Sequence, residues 1–137
     1  MLALCRRDGA IYPHEKEVQK KIKRLLEAHS SVVPSLVHGD LWSGNQGWTT
    51  QGEPVIFDPA PYYGDREVDY AMTKLFGANS RDFYEEINKI WPMAPGWEVR
   101  EIIYNSYHIL NHYVLFGGSY GTQAFRMLDT ILASPEP

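Results

Sequence analysis

Leu36-Val37-His38-Gly39-Asp40-Leu41-Trp42-Ser43-Gly44-Asn45, answered by Val55-Ile56-Phe57-Asp58, is the stretch around which the rest of this 137-residue sequence is arranged. Two apolar residues deliver a His-Gly-Asp triplet, an amide follows five positions after Asp40, and a second carboxylate closes a later apolar run. Between Asn45 and Asp58 lie two strand candidates, Gln46 to Thr49 and Pro54 to Phe57. They are joined by Thr50-Gln51-Gly52-Glu53, whose glycine permits a positive φ. A hairpin of this kind brings the ends of its strands together, so Asn45 and Asp58, thirteen residues apart, can serve one ion.

Helical periodicity dominates outside this stretch. Val18, Ile22, Leu25 and Leu26 predict an amphipathic helix from His14 to His29, with Lys16, Lys20, Lys23, Arg24 and Glu27 on its other sides as a solvated basic face. Residues 1–13, with Leu2 and Leu4 but no N-cap before them, read as the tail of a preceding helix. Leu36-Val37 reads as a short buried strand, and Pro59 to Gly64 as a loop. Asp65 is placed to cap a helix reaching Phe76 with an apolar stripe of Val68, Ala71, Met72 and Leu75. Ser80 caps a second helix to about Trp91, with Phe83, Ile87 and Ile90 inward. A long helix follows from Trp97 to Phe116, with Val99, Ile102, Ile103, Leu110 and Val114 as its apolar surface, and Gly117-Gly118 stops it. Tyr120 to Ala133 forms the last helix, with Phe125, Leu128, Ile131 and Leu132 for packing, and Ser134 to Pro137 reads as a frayed tail. The expected fold class is mainly α with a small β-hairpin.

Composition fits one soluble domain spanning 1–137, with 44% hydrophobic residues available for a core. Thirteen basic against 17 acidic side chains leave a net charge of −4, so no sequence-wide basic field draws in nucleic acid or an anionic membrane. Cys5 is the single cysteine, which excludes an internal disulfide framework. No apolar run has the length of a secretory signal or a membrane span, and the expected location is the cytoplasm.

The chemistry that this residue set suits is phosphoryl transfer. That reaction needs an acceptor hydroxyl aimed at phosphorus and a hard cation to neutralise phosphate oxygens. Asp40 is the candidate base. Asn45 offers an amide oxygen and Asp58 a carboxylate to magnesium, His38 orients the loop, and Gly39 lets the backbone approach closely. Trp42, Trp48, Tyr62 and Tyr63 flank the polar loop, where aromatic faces could stack on a sugar or attract an amine, or else pack the rim. His108 and His112, four apart, offer a rival zinc reading with His38 and Asp40. The sequence lacks H-E-x-x-H, however, and packing is the simpler role for the pair.

At these residues the chain resembles the aminoglycoside phosphotransferase and choline kinase superfamily, and within it the fructosamine kinase (ketosamine-3-kinase) family. The resemblance is carried by Pro34 to Asn45, by Phe57-Asp58-Pro59-Ala60, by Tyr63-Gly64-Asp65-Arg66-Glu67-Val68-Asp69 and by Leu75-Phe76-Gly77. It continues in Tyr107-His108-Ile109-Leu110-Asn111-His112 and in Leu115-Phe116-Gly117-Gly118-Ser119-Tyr120. It implies a protein-kinase-like carboxy-terminal lobe and ATP-dependent phosphorylation of the 3-hydroxyl of a fructosamine or ribulosamine on glycated amines or proteins, with Mg²⁺. By the same carry-over Asp40 is the base, Asn45 and Asp58 are the magnesium ligands, and Asp69 steadies the catalytic loop from the following helix, although Asp69 reads equally well as a helix-surface acid. Asp58-Pro59-Ala60 stands where protein kinases have Asp-Phe-Gly, so no Phe-driven switch is expected. Residues 1–30 hold no Gly-rich loop and no strand lysine in a Val-Ala-Ile-Lys-like setting. The expectation is therefore a carboxy-terminal lobe without its amino-terminal ATP-binding lobe. The alternative is a non-catalytic, truncated lobe acting as an interaction or structural module, self-associating through the apolar surface that the other lobe would cover.

Overall fold

Apolar periodicity sets the helices, and the computed structural model, which describes residues 11–30 and 32–136, shows where each one begins and ends. They are α1 (Glu15–Glu27), α2 (Glu67–Leu75), α3 (Arg81–Ile90), α4 (Trp97–Phe116) and α5 (Ser119–Ala133). The strands are three residues each: β1 (Ser35–Val37), β2 (Gln46–Trp48), β3 (Pro54–Ile56) and β4 (Tyr62–Gly64). The helical tail expected over residues 1–13 and Cys5 fall almost wholly outside the described residues. The chain divides into two compact units, one joining α1 to the residues from Glu98 onward, the other running from the β1 region to Trp97.

In the first unit the 3.6-residue spacing of Val18 and Leu25 turns one face of α1 inward. Together with Tyr12, Ile103, Leu128 and Ile131 these two side chains form a buried cluster, and Ile22, Leu26, Val99, Ile102, Phe125 and Leu132 pack around it. The Tyr12 hydroxyl donates to Asp129 Oδ1 at 2.7 Å, and its ring tilts against Phe125 at 5.2 Å between centroids. Burial, reinforced by that bond to a carboxylate, holds the phenol well above the usual tyrosine range.

The tail read from sequence as frayed is tied down as far as Glu136. Lys21 is buried, and a buried ammonium must find acceptors. Its Nζ donates to the Ser134 carbonyl at 2.8 Å and to Glu136 Oε1 at 3.0 Å, and Arg24 adds a second cation 3.2 Å from the same carboxylate. Sequence periodicity places no acceptor near Lys21. The partner comes from the far end of the chain.

In the second unit β2 pairs antiparallel with β3, with Gln46 opposite Ile56 and Trp48 opposite Pro54, which is the expected hairpin. A second pair was not expected. Tyr62–Gly64, read as loop because prolines precede it and glycine ends it, runs antiparallel to β1, with Leu36 opposite Tyr63 and Val37 opposite Tyr62. Strand alternation also corrects the reading of β1 as buried throughout: Val37 is 3% exposed, whereas Leu36, on the other face, is 66% exposed. Asp65 Oδ1 accepts the Glu67 N–H at 3.0 Å, although the boundary residue of α2 is Arg66. Ser80 Oγ accepts the Phe83 N–H at 3.3 Å, the cap expected for α3. Ile90, expected inward, is exposed at the end of α3, where the helix stops before another turn can cover it. Among the described residues no helix is long and apolar enough to cross a membrane.

Two outcomes follow from the first unit. Leu128→Ala, which empties a buried site, lowers stability by about 2–5 kcal/mol in denaturant titrations. The hydrogen bond from Lys21, with Arg24 nearby, holds the Glu136 carboxyl below the usual glutamate range, so its contribution is present above the unfolded glutamate pKa and is lost as pH falls through the lower folded value. The parent is therefore more stable than Glu136→Gln at neutral pH. The gap closes in acid, as melting curves collected from pH 7 downward would record.

Candidate active site

The site is assembled on backbone that leaves β1 at Val37. The next two peptide N–H groups, those of His38 and Gly39, both point at one carboxylate: Asp69 Oδ2 accepts from His38 at 2.7 Å and Asp69 Oδ1 from Gly39 at 2.9 Å. Asp69 lies in the first turn of α2. A charged acceptor shared by two adjacent amides fixes the direction in which the chain enters the loop.

Gly39 is required twice over. Its φ is +81°, and a Cβ at this position would fall 2.1 Å from the Ala60 carbonyl oxygen, which belongs to backbone and cannot rotate away. The Ala60 N–H donates to the His38 carbonyl at 2.9 Å, so the segment after Asp58 is laced against the loop on this side.

His38 extends the lacing through its ring. The Asp40 N–H points at His38 Nδ1 at 3.3 Å, which makes Nδ1 the acceptor. Nε2 faces the Phe57 carbonyl at 2.9 Å, which accepts only. The two neighbours together call for a neutral imidazole with its proton on Nε2. Phe57 is held on its other side as well, because its N–H donates to the Asn45 carbonyl at 3.1 Å. Both backbone groups of Phe57, the residue before Asp58, are thus committed. Asp58 itself takes φ +55°, the one left-handed non-glycine conformation among the described residues, and its side chain is exposed.

Asn45 ends the 3₁₀ turn Ser43–Asn45 and is 6% exposed. Its Nδ2 donates to the Asp40 carbonyl at 2.9 Å and to Asp40 Oδ2 at 3.0 Å. Both amide hydrogens are therefore spent on Asp40, and the amide oxygen is the atom left for another ligand. The hairpin register sets Asn45 beside Phe57, so the structure brings the backbone just before Asp58 to the Asp40–Asn45 pair.

The turn rests on the end of α2. Ser43 Oγ donates to the Phe76 carbonyl at 3.2 Å, and Trp42 meets the Phe76 ring edge to face at 6.1 Å. Trp42 is 37% exposed, Tyr62 48% and Tyr63 75%, and of the two tyrosines Tyr62 is the one whose ring comes up against the loop, at Gly39. Trp48 is more exposed than Trp42, at the far end of β2. A pocket of about 400 Å³ lined by Leu36, Val37, His38, Leu41, Ile56 and Pro59, among others, opens next to the loop. The zinc reading finds no support in the His108–His112 pair: His112 Nδ1 donates to the His108 carbonyl at 2.8 Å, and the His112 ring packs on Phe116 and Tyr120.

A loop carrying a carboxylate and an amide, followed by a hairpin and a second carboxylate, is the arrangement of kinase-like phosphotransferases. Residues 1–134 match the family model described as fructosamine kinase, and the chain belongs to that family. A probable ketoamine kinase of Synechocystis sp. is 53% identical over 131 residues, which is 96% of this chain and 44% of that protein. A chloroplastic protein-ribulosamine 3-kinase of Oryza sativa subsp. indica is 42% identical over 125 residues, 91% of this chain and 36% of that one. The fold matches a solved structure from Thermobifida fusca, provisionally named a fructosamine-3-kinase, with a TM-score of 0.82 at 33% identity, covering 97% of this chain and 47% of the other. The chain thus spans less than half the length of these relatives, and its fold is the mainly helical carboxy-terminal lobe of kinase-like enzymes.

Sequence reading did not single out Gln46 or Asn79. Gln46 Nε2 donates to the Leu41 carbonyl at 3.2 Å, and Asn79 Nδ2 donates to Gln46 Oε1 at 3.1 Å. Neither belongs to a spacing pattern, and only their proximity in the folded chain marks them.

Two substitutions test this scaffold. Gly39→Ala forces the chain away from Ala60 and lowers the melting temperature while the first unit's core contacts stay intact. Asp69→Asn puts an amide NH₂ where one backbone N–H must be accepted, costing about 1.5–3 kcal/mol, the scale of a hydrogen bond to a charged group. Hydrogen exchange at His38 and Gly39 should rise in that variant ahead of exchange in α5.

Proposed function

We propose that this chain carries the base and metal-binding half of an ATP-dependent ketosamine kinase, which transfers a phosphoryl group to the 3-hydroxyl of a fructosamine or ribulosamine on a glycated amine or protein. The observation that carries the reading is the Asp40–Asn45 pairing beside Phe57, the residue before Asp58: among the described residues it leaves the Asn45 amide oxygen, the second Asp40 carboxylate oxygen and the Asp58 carboxylate for other ligands, in the order this chemistry uses.

In this reading Asp40 accepts the proton of the attacking hydroxyl. Asn45 donates both its hydrogens to Asp40, which fixes the carboxylate's rotamer and lowers the cost of aiming it at a substrate. Asn45 Oδ1 and the exposed Asp58 carboxylate are hard oxygen donors and would hold Mg²⁺. That ion, when bound, supplies charge neutralisation at the phosphate oxygens. His38 works through its ring bond to Phe57, keeping Asp58 in its left-handed conformation. Trp42, Tyr62 and Tyr63 supply exposed aromatic faces for the sugar or its amine. Gly-rich-loop and strand-lysine functions belong, on this proposal, to an ATP-binding lobe that completes the site, in the cytoplasm.

Asp40→Ala is expected to lower turnover of a fructosamine with magnesium ATP by about 10²–10⁴, the usual range for losing a general base. Asp58→Asn keeps the backbone but removes the charge, and should abolish a magnesium-dependent rise in melting temperature with ATP, since only a ligand of the folded state stabilises it. A parent chain with neither turnover nor a magnesium-dependent shift would favour the non-catalytic, structural reading.

A further inference from the structure

Asn45 is held by more than the catalytic loop itself. Leu41, Gln46, Asn79, Tyr84 and Thr73 form one chain of hydrogen bonds from the loop to the α2–α3 connection. The Leu41 carbonyl can only accept, so Gln46 must turn Nε2 toward it and leave Oε1 facing away. Oε1 in turn demands a donor, so Asn79 must present Nδ2. The polarity of both amides is dictated by one backbone oxygen. Asn79 is itself anchored, because its N–H donates to the Tyr84 hydroxyl at 3.1 Å, and that hydroxyl lies 3.3 Å from the Thr73 carbonyl and from Thr73 Oγ1. The Tyr84 ring is fixed in turn by edge contacts with Tyr70 and Phe83 and by the Lys74 ammonium 5.1 Å from its centre.

We infer that Gln46 and Asn79 are positioning residues for the metal-binding turn: their directional amide relay fixes Leu41 and thereby the Trp42–Asn45 turn, from which Asn45 reaches both Asp40 and the ion. The functional half of this statement rests on the reading of Asn45 as a ligand given above. Gln46 follows Asn45 directly and opens β2, so a shift of its side chain acts on the turn and on the hairpin register together. The buried face of Asn45 leaves little room to absorb such a shift.

The relay makes an unusual demand on an isosteric change. Asn79→Asp, which touches no loop residue, sets an acceptor against Gln46 Oε1 at neutral pH. Satisfying it requires Gln46 to flip and to aim an oxygen at the Leu41 carbonyl. Protonation reverses this, because a neutral carboxylic acid can donate to Gln46 Oε1.

The test is amide hydrogen exchange at Asn45 and Phe57 in the parent and in Asn79→Asp, compared at the same pH. Expected is an increase of about tenfold or more at neutral pH, confined to the second unit as local opening is, and its disappearance below roughly pH 4, where carboxyl groups gain their protons. An unchanged rate in Asn79→Asp overturns the inference. So does an increase that persists in acid or that spreads equally through α5, which would mark a general loss of stability. The magnesium-dependent melting shift with ATP is recorded alongside. A parent that lacks the shift while Asn79→Asp shows the pH-gated exchange defeats the kinase reading and leaves the relay standing, whereas a parent with the shift and an Asn79→Asp variant with neither effect defeats the relay alone.

Discussion

The carboxylate of Asp69 is the constraint from which the site descends. It stands in the first turn of α2 and takes the peptide N–H groups of two consecutive residues, His38 and Gly39, as the chain leaves β1. Backbone amides turned to one side must be satisfied, and a loop that left them unpaired in a partly buried setting would open to find water. With them fixed, the His38 ring has one direction available, toward the Phe57 carbonyl, and the Gly39 peptide can lie against Ala60 where no side chain would fit. Three separate pieces of sequence, the loop, the end of the hairpin and the segment after Asp58, are thereby referred to one acid.

Strain at Asp58 makes sense against that frame. A left-handed conformation costs a non-glycine residue on the order of 1–2 kcal/mol, less for aspartate than for most. Here the cost is offset by hydrogen bonds at both backbone groups of the preceding residue, Phe57, from His38 and to Asn45. The result is an exposed carboxylate one residue beyond the hydrogen bond that joins Phe57 to Asn45. The polar relay through Gln46 and Asn79 reaches the same turn from the opposite direction, so Asn45 lies between two independently anchored stretches.

The first unit is held differently. Its apolar cluster is conventional, with stripes on α1, α4 and α5 meeting around Val18, Leu128 and Ile131. Its polar fastenings are long-range: Tyr12 reaches Asp129, and Lys21 reaches Ser134 and Glu136. Each joins the amino-terminal segment to the last helix or the residues just after it. Removing either partner would leave a buried or half-buried polar group without its match.

Helix positions were legible because 3.6-residue periodicity and the Ser80 cap are local properties, and α4 runs over the residues that its apolar spacing and the Gly117-Gly118 stop define. The hairpin and the proximity of Asn45 to Asp58 were legible too, since a four-residue turn with glycine leaves the flanking strands little choice. What the sequence could not decide is whatever depends on residues distant in the chain. Tyr62–Gly64 becomes a strand only because β1 offers it an edge, and three residues among prolines and glycine have no periodicity to announce it. Nothing local says what Lys21 pairs with until the residues after α5 bring a carbonyl and a carboxylate to it. Gln46 and Asn79 carry no distinguishing spacing of their own, and Asp69 was marked by the family resemblance alone, its position in the helix reading equally well as a surface acid. Local composition determined which residues could do the chemistry, and tertiary structure decided which backbone groups hold them in place, because a hydrogen bond across thirty residues depends on where the folded chain brings its two ends.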